Sequence, residues 1–425
     1  MQPTNYRQHT PTAALAAMAL GYALLGSAAQ AQPTHPGTAP LTLQALFDQA
    51  WQRQPEAQSA ALRREGAQAT RSAATAWTAE PVALELSTKT DRPGSNQGSR
   101  EAEVGLALPL WLPGERARKA ALADAEAQAL SSRQRAAQLQ LAATVREAWW
   151  AAQRAQADQA LAQDRLLNAQ RLAADVARRV RAGDLSRADQ AQAEGAMAQA
   201  EAAVAEAQGA LDAAQASLAA WGIKAVPPLA LADAAEPEPT VPDATAAAAQ
   251  HPAAADWQDQ AEVARRAADL AAVQTRANPE LTVAATRGRE QAGDRYQQTF
   301  TVGLRVPLGG GDRAQAKQAT ARADVIDAEA RAAVEQRRLA ADIAAAVARV
   351  KATQAQRDAL ARHAALAQGT RGFIDKAFRL GEADGPTRLR VELEAVQAER
   401  QLARARIDAA AAVSTLRQAL GLLPQ

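Results

Sequence analysis

Strict alternation of apolar and polar positions occurs in four short stretches, and nearly everything between them follows helical spacing. Val82, Leu84 and Leu86 share one face of the first stretch, and Val104, Leu106, Leu108 and Leu110 one face of the second. Leu281, Val283 and Ala285 do so in the third, and Phe300, Val302, Leu304, Val306 and Leu308 in the fourth. A two-residue period with one apolar face predicts strands over residues 81–91, 100–110, 279–288 and 297–308. From residue 115 to 180, just past Gly114, there is neither Pro nor Gly. That tract of roughly 65 residues would be about 100 Å long as a helix, so it needs neighbours along its length. Leu122, Leu130, Leu141, Val145, Trp149, Leu166, Val176 and Val180 give it a broken apolar stripe, with Ala filling much of the remainder. Helices are thus predicted over residues 114–181, 185–221, 252–277, 312–380 and 386–421, after two shorter ones over 41–51 and 55–77.

The pattern is duplicated. Val-Gly-Leu-Ala-Leu-Pro-Leu at 104–110 reappears as Val-Gly-Leu-Arg-Val-Pro-Leu at 302–308. The same spacing of about 198 relates Pro81 to Pro279, and Arg181-x-Gly183 to Arg379-x-Gly381. Trp221-Gly222 matches Leu420-Gly421 with one residue of slip. Residues 32–222 form the first repeat and 244–425 the second. Between them, residues 223–243 carry Pro227, Pro228, Pro237, Pro239 and Pro242, which favour extended chain over helix. The fold class is mainly α with a small β part, two repeats of strand, strand and long helical hairpin. Gly183 suits the left-handed position that ends a helix, and Asp184 or Ser186 can cap the next one. The second reversal runs through Gly381, Glu382, Asp384 and Gly385-Pro386.

Composition supports this reading. Only 3% of residues are aromatic, and Ala, Gln, Arg, Glu and Leu dominate, as in long helices packed through small side chains. A net charge of +2 gives no reason to expect a nucleic-acid partner. The chain has no Cys, which removes disulfides, thiolate catalysis and a lipidated N-terminal Cys. Arg7, an apolar run at residues 13–25 and Ala29-Gln30-Ala31 read as a signal peptide over residues 1–31. That run of about 13 residues is short of the roughly 20 a spanning helix requires. No later segment is apolar enough to span as a helix, so any membrane crossing must be made by strands.

Strands of about ten residues have the length of tilted transmembrane strands, but four cannot close, since the smallest such barrels have about eight. An open sheet in lipid leaves edge N–H and C=O groups unsatisfied, at several kcal/mol each. Several chains must therefore share one barrel. Two would give eight strands around a filled interior, and three would give twelve around a channel. Both strand pairs begin and end in helix, so the charged helices all stand on one side, in water. Trp77 and Trp111 flank the first pair at its helical end, where an aromatic belt meets the lipid boundary; ordinary core positions are the alternative. Arg116, Arg118 and Lys119 follow as a basic first turn, solvated or reaching towards head groups.

Enzyme chemistry finds no purchase. Gly309-Gly310-Gly311-Asp312 joins a strand to a helix but lacks a Lys-Ser/Thr ending and a third spaced glycine, so a tight turn explains it better than a phosphate loop. His9, His35, His251 and His363 are scattered, and none stands at metal-ligand spacing. No cofactor and no metal site are expected, and no Ser is partnered by a His.

The paired strands, the Pro starts, the two Arg-x-Gly tips and the Ala/Gln/Glu-rich returns resemble the TolC-type outer-membrane factors, over nearly the whole mature chain. The resemblance implies a homotrimer in the Gram-negative outer membrane, with a twelve-stranded barrel in lipid and a twelve-helix tunnel in the periplasm. It implies a periplasmic adaptor and an inner-membrane pump of the resistance-nodulation-division type as partners. The adaptor-docking tips would be Arg181, Gly183, Asp184, Leu185 and Ser186, with Arg379, Gly381, Glu382 and Asp384. Asp184, Glu382 and Asp384 would form an acidic constriction favouring cations; plain helix-cap carboxylates are the alternative. The chain is similar to the heavy-metal branch, which implies export of metal cations, with small toxic compounds also expected. A type I protein-secretion duct remains open, as does a periplasmic coiled-coil scaffold that never enters lipid.

Overall fold

The computed structural model describes residues 42–221, 235–241, 243–380, 382–383 and 385–425. The signal-peptide expectation for residues 1–31, and Gly381 and Asp384 of the second tip, lie outside the described residues.

Two short helices come first. α1 (Leu43–Gln52) is capped by Thr42, whose hydroxyl accepts from the Ala45 N–H, and α2 (Pro55–Ala74) places Pro at its first position, where no N–H is missed. The strands β1 (Ala83–Thr90) and β2 (Arg100–Pro109) follow as a hairpin, and then α3 (Glu115–Ala182) and its return α4 (Arg187–Ala219). After the connecting segment, α5 (Ala244–Ala249) is a single short helix capped by the Asp243 carboxylate. α6 (Pro252–Val273), β3 (Glu280–Arg289), β4 (Gln297–Arg305), α7 (Gly311–Arg379) and α8 (Gly385–Ala419) complete the chain. α3 and α7 have 68 and 69 residues, each about 100 Å long at 1.5 Å per residue.

The structure differs from the sequence expectation in four main places, the first being α2, expected to residue 77 and ending at Ala74. The helix predicted to residue 277 stops at Val273, because Gln274 and Asn278 turn aside to bond the buried Glu115 carboxylate. The fourth strand ends at Arg305 rather than at 308, where Pro307 has no N–H to give and Gly309 and Gly310 adopt left-handed φ of 95° and 91°. α5 was not expected; Asp243 nucleates it from an Ala-rich run.

The sheet is antiparallel throughout, in the order β1-β2-β3-β4. β2 and β3 pair across the whole intervening helical hairpin, Leu106 opposite Val283 and Val104 opposite Ala285. The registers align one apolar row, Leu84–Leu106–Val283–Val302, and a second, Leu86–Val104–Ala285–Phe300. The opposite face carries Ser87–Glu103–Thr286–Thr299 and Lys89–Glu101–Gly288–Gln297. The apolar rows are bare: Leu86 is 71% exposed, Phe300 79% and Val302 72%. β1 and β4 each have one unpaired edge.

The helices hold together further along. α1 lays Leu43, Leu46 and Phe47 against Leu141, Val145, Trp149 and Trp150 of α3, Leu218 of α4 and Ile407 of α8. A second cluster joins Ala346 and Val350 of α7 to Ala412, Val413 and Leu416 of α8. Nearer the tips the buried cluster is built of alanines, Ala364 and Ala367 against Ala395 and Ala398, so the two backbones approach closely. No helix among the described residues is long and apolar enough to cross a membrane.

Candidate functional site

Two regions combine exposed chemistry with defined geometry: the junction of sheet and helices, and the tips of the two hairpins. At the junction, Gly114 takes a left-handed φ of 75° and turns the chain from strand into α3. Glu115 is 2% exposed and answers three donors: the Leu112 N–H at 3.0 Å, Gln274 Nε2 at 2.6 Å and Asn278 Nδ2 at 2.7 Å. Asn278 also donates to the Leu110 carbonyl at 2.9 Å, so one carboxylate locks the start of α3 to the entry of β3. Trp111 is half-buried, its indole N–H donating to the Ala76 carbonyl at 3.1 Å, while Lys119 lies 5.1 Å from its ring centroid. Arg116 donates to the Thr75 carbonyl, so part of the basic first turn binds backbone. Trp77, by contrast, is 76% exposed and stands beside the bare sheet.

At the first tip, Gly183 has φ 86° and its N–H and that of Asp184 bond back to Val180 and Arg179 carbonyls, closing α3. Ser186 caps α4 in a capping box: the Asp189 N–H bonds its hydroxyl, and the Ser186 N–H bonds the Asp189 carboxylate at 2.9 Å. The cap is therefore Ser186, and the Asp184 side chain is left exposed, without a partner among the described residues. The Ser186 hydroxyl and N–H hold the Asp189 carboxyl below its usual range. Leu185 is half-buried, and Arg181 bonds its own helix through the Ala177 carbonyl. At the second tip the Glu382 N–H donates to the Ala377 carbonyl at 2.9 Å, and its carboxylate is exposed and without a partner among the described residues.

The two tips meet through residues that spacing alone did not single out. Phe378 of α7 receives the Arg388 guanidinium of α8 at 4.7 Å from its ring centroid and that of Arg179, from α3, at 5.4 Å. Asp375 pairs with Arg388 at 3.0 Å and with Arg379, the latter hydrogen bond being the main cause of its lowered pKa. Arg379, expected at the docking tip, is thus tied into its own hairpin. A sequence signal did exist: Asp375, Phe378, Arg379 and Arg388 sit within one turn or so of the reversal, an unusual concentration in an Ala-rich chain.

Residues 46–221 match the model of the outer membrane efflux protein family. Comparison with curated proteins returned no match. Among solved structures the fold is similar to CusC, with a TM-score of 0.74 and 18% identity, over 90% of this chain and 93% of that one. It is similar to the outer membrane protein VceC of Vibrio cholerae, with a TM-score of 0.69 and 20% identity, over 89% and 96%. The open-state outer membrane channel MtrE of Neisseria gonorrhoeae gives 0.71 and 19% identity, over 89% of each chain. These relatives are channel proteins, and at such identities they speak for the fold.

Proposed function

We propose that the chain, whose residues 46–221 match the outer membrane efflux protein family, is the exit channel of a tripartite efflux system in a Gram-negative outer membrane. Three copies would close one twelve-stranded barrel in lipid, and their helices would continue it as a twelve-helix tunnel through the periplasm. The observation that carries this reading is the open sheet: both β1 and β4 present a free edge, and the Leu84 and Leu86 rows are bare. A free edge in hydrocarbon costs several kcal/mol per unsatisfied backbone group, and symmetric closure removes every edge. Four strands per subunit reach a barrel with a lumen only when about three subunits combine. The alternating rows then give an apolar wall towards lipid and a wall of Ser, Thr, Glu, Lys and Gln towards water.

The exposed tips, Arg181 to Ser186 and the residues around Glu382, would receive a periplasmic adaptor, which links the duct to a resistance-nodulation-division pump. The cargo would be metal cations or small toxic compounds; Asp184 and Glu382, with Asp384 in the sequence, would favour cations at the inner end. Trp77, exposed beside the sheet, would seat at the lipid boundary. The test is reconstitution of the mature protein in planar bilayers, with heat-modifiable migration on gels. Discrete conductance steps from an oligomer are expected; a water-soluble monomer without conductance sinks the reading.

A further inference from the structure

The seam between subunits is not free to take any register. We infer that Arg305 of one subunit stands directly opposite Glu85 of the partner subunit, and that this cross-strand ion pair pins the alignment in which the barrel closes. The inference rests on the trimeric reading above and adds the contact that completes it.

The sheet itself supplies the template. Leu106 faces Leu84 in the first hairpin, and Leu304 faces Leu281 in the second. Hence β2 and β4 correspond at a spacing of 198 (304 less 106), and β1 and β3 at 197 (281 less 84). Among the described residues, the one strand-to-strand join between repeats is β2 on β3, with Leu106 opposite Val283, Ala107 opposite Thr282 and Leu108 opposite Leu281. In a ring of repeats, the join of β4 to β1 of the partner copies it. Leu304 then faces Leu86 of the partner subunit, Val306 faces its Leu84, and Arg305 faces its Glu85.

Three independent features agree with that register. Residues directly opposite share a face, so any odd slip would set Leu304 against Glu85 and mix the lipid and water sides along the whole seam. The charges are complementary, and an opposite-charge pair directly across an antiparallel ladder is favourable. A slip of two residues either way would face Arg305 with Ala83 or Ser87, neither of which carries charge. Finally, both groups are waiting. Glu85 has no side-chain partner among the described residues, and Arg305 is 79% exposed in its side chain, reaching only Glu280 of its own β3 at 3.9 Å.

The chain has no Cys, so thiol chemistry can read the register directly. In the full-length protein, E85C/R305C treated with a short bis-methanethiosulfonate reagent should give covalent dimers and trimers on denaturing gels, reversed by reductant. A83C/R305C and S87C/R305C should cross-link at least about fivefold less, since diagonal neighbours stand some 2–3 Å farther apart than direct pairs. In parallel, E85R and R305E should each lower the temperature at which the oligomer dissociates, and E85R/R305E should recover most of that loss. A trimer by light scattering whose strongest cross-link comes from a shifted pair, or whose double reversal is no better than the single ones, overturns the pairing and leaves the trimer standing. A chain that scatters as a monomer removes the trimeric reading itself.

Discussion

Arg146 of α3 and Glu236 of the inter-repeat segment, 90 positions apart, form a bidentate pair, Nη2 to Oε1 at 2.9 Å and Nε to Oε2 at 3.2 Å. Their side chains are 4% and 1% exposed. The same carboxylate takes Arg417 Nε at 3.1 Å and the Ser414 hydroxyl, both from α8. Arg417 also donates to the Pro237 carbonyl at 3.0 Å, and Arg146 to Gln418. One buried anion thus binds the segment between repeats to the first long helix of one repeat and the last helix of the other.

Removing it strands two buried cations. Breaking a buried pair from one side costs about 3–5 kcal/mol, because the leftover charge is neither solvated nor answered. Here two guanidiniums are left, with Arg417 5% exposed. Glu236→Ala should therefore lower the chemical-denaturation stability of the protein by about that amount, and Glu236→Gln by less, since the amide oxygen still accepts. A Glu236→Ala variant with an unshifted midpoint and unchanged protease sensitivity around residue 240 would show the cluster to be idle.

That cluster also marks where the sequence stops being legible. The strands could be read because a sheet with one apolar face needs period-two apolar residues, such as Leu84, Leu86, Val302 and Leu304, whose faces do not depend on a distant partner. The first tip could be read because Gly183 and Ser186 act within a few residues of themselves. Glu236 sits in a Pro-rich stretch that reads as a spacer, and its partners at 146, 414 and 417 lie on helices whose rotation no local spacing reveals. The premature end of α6 has the same cause: Gln274 and Asn278 leave the helix for Glu115, 159 and 163 positions away. Phe378 reads as one more apolar residue on a helix; only the crossing of α3, α7 and α8 gives it two cations.

His251 should make the fold acid-sensitive. It is 6% exposed and caps α6, Nδ1 accepting from the Ala253 N–H at 3.0 Å. Burial, outweighing the nearby Gln418 carbonyl, holds its pKa below the ordinary value of 6.5. A histidine whose folded pKa is depressed favours the neutral ring, so stability is full above about pH 6.5 and falls as pH drops towards the folded pKa. Protonation also removes the acceptor that caps the helix. His251→Asn keeps a capping oxygen but cannot titrate. Melting temperature should fall between pH 7.5 and pH 5 more steeply in the parent than in this variant; equal slopes would assign the acid sensitivity elsewhere.

Phe378 couples the hairpins. Truncating it removes the surface on which the Arg179 and Arg388 guanidiniums rest, a contact worth about 0.5–1 kcal/mol at an exposed site. Phe378→Ala should leave global melting nearly unchanged, because the buried clusters lie elsewhere. Hydrogen exchange should rise selectively in the last turns of α3 and α7. Phe378→Trp should protect the same amides at least as well as the parent. Exchange that stays as slow as in the parent at both tips would mean that the helices hold each other without this ring.

The acidic tips supply the sharpest functional prediction. Asp184 and Glu382 are exposed and have no partner among the described residues, held at their loops by backbone bonds that do not involve their side chains. Their removal should therefore leave the hairpins folded while deleting two negative charges per subunit, six in the proposed trimer. Carboxylate rings select cations because like-charged groups crowded at a narrow opening are relieved by a passing cation. Asp184→Ala with Glu382→Ala should move the reversal potential under a salt gradient towards the unselective value and weaken block by multivalent cations. Ser186→Ala is the control, since it loosens the α4 cap and alters no charge. If the double variant and the parent share one reversal potential across about 0.1–1 M salt, over which screening shortens from about 10 to 3 Å, the constriction lies with other groups.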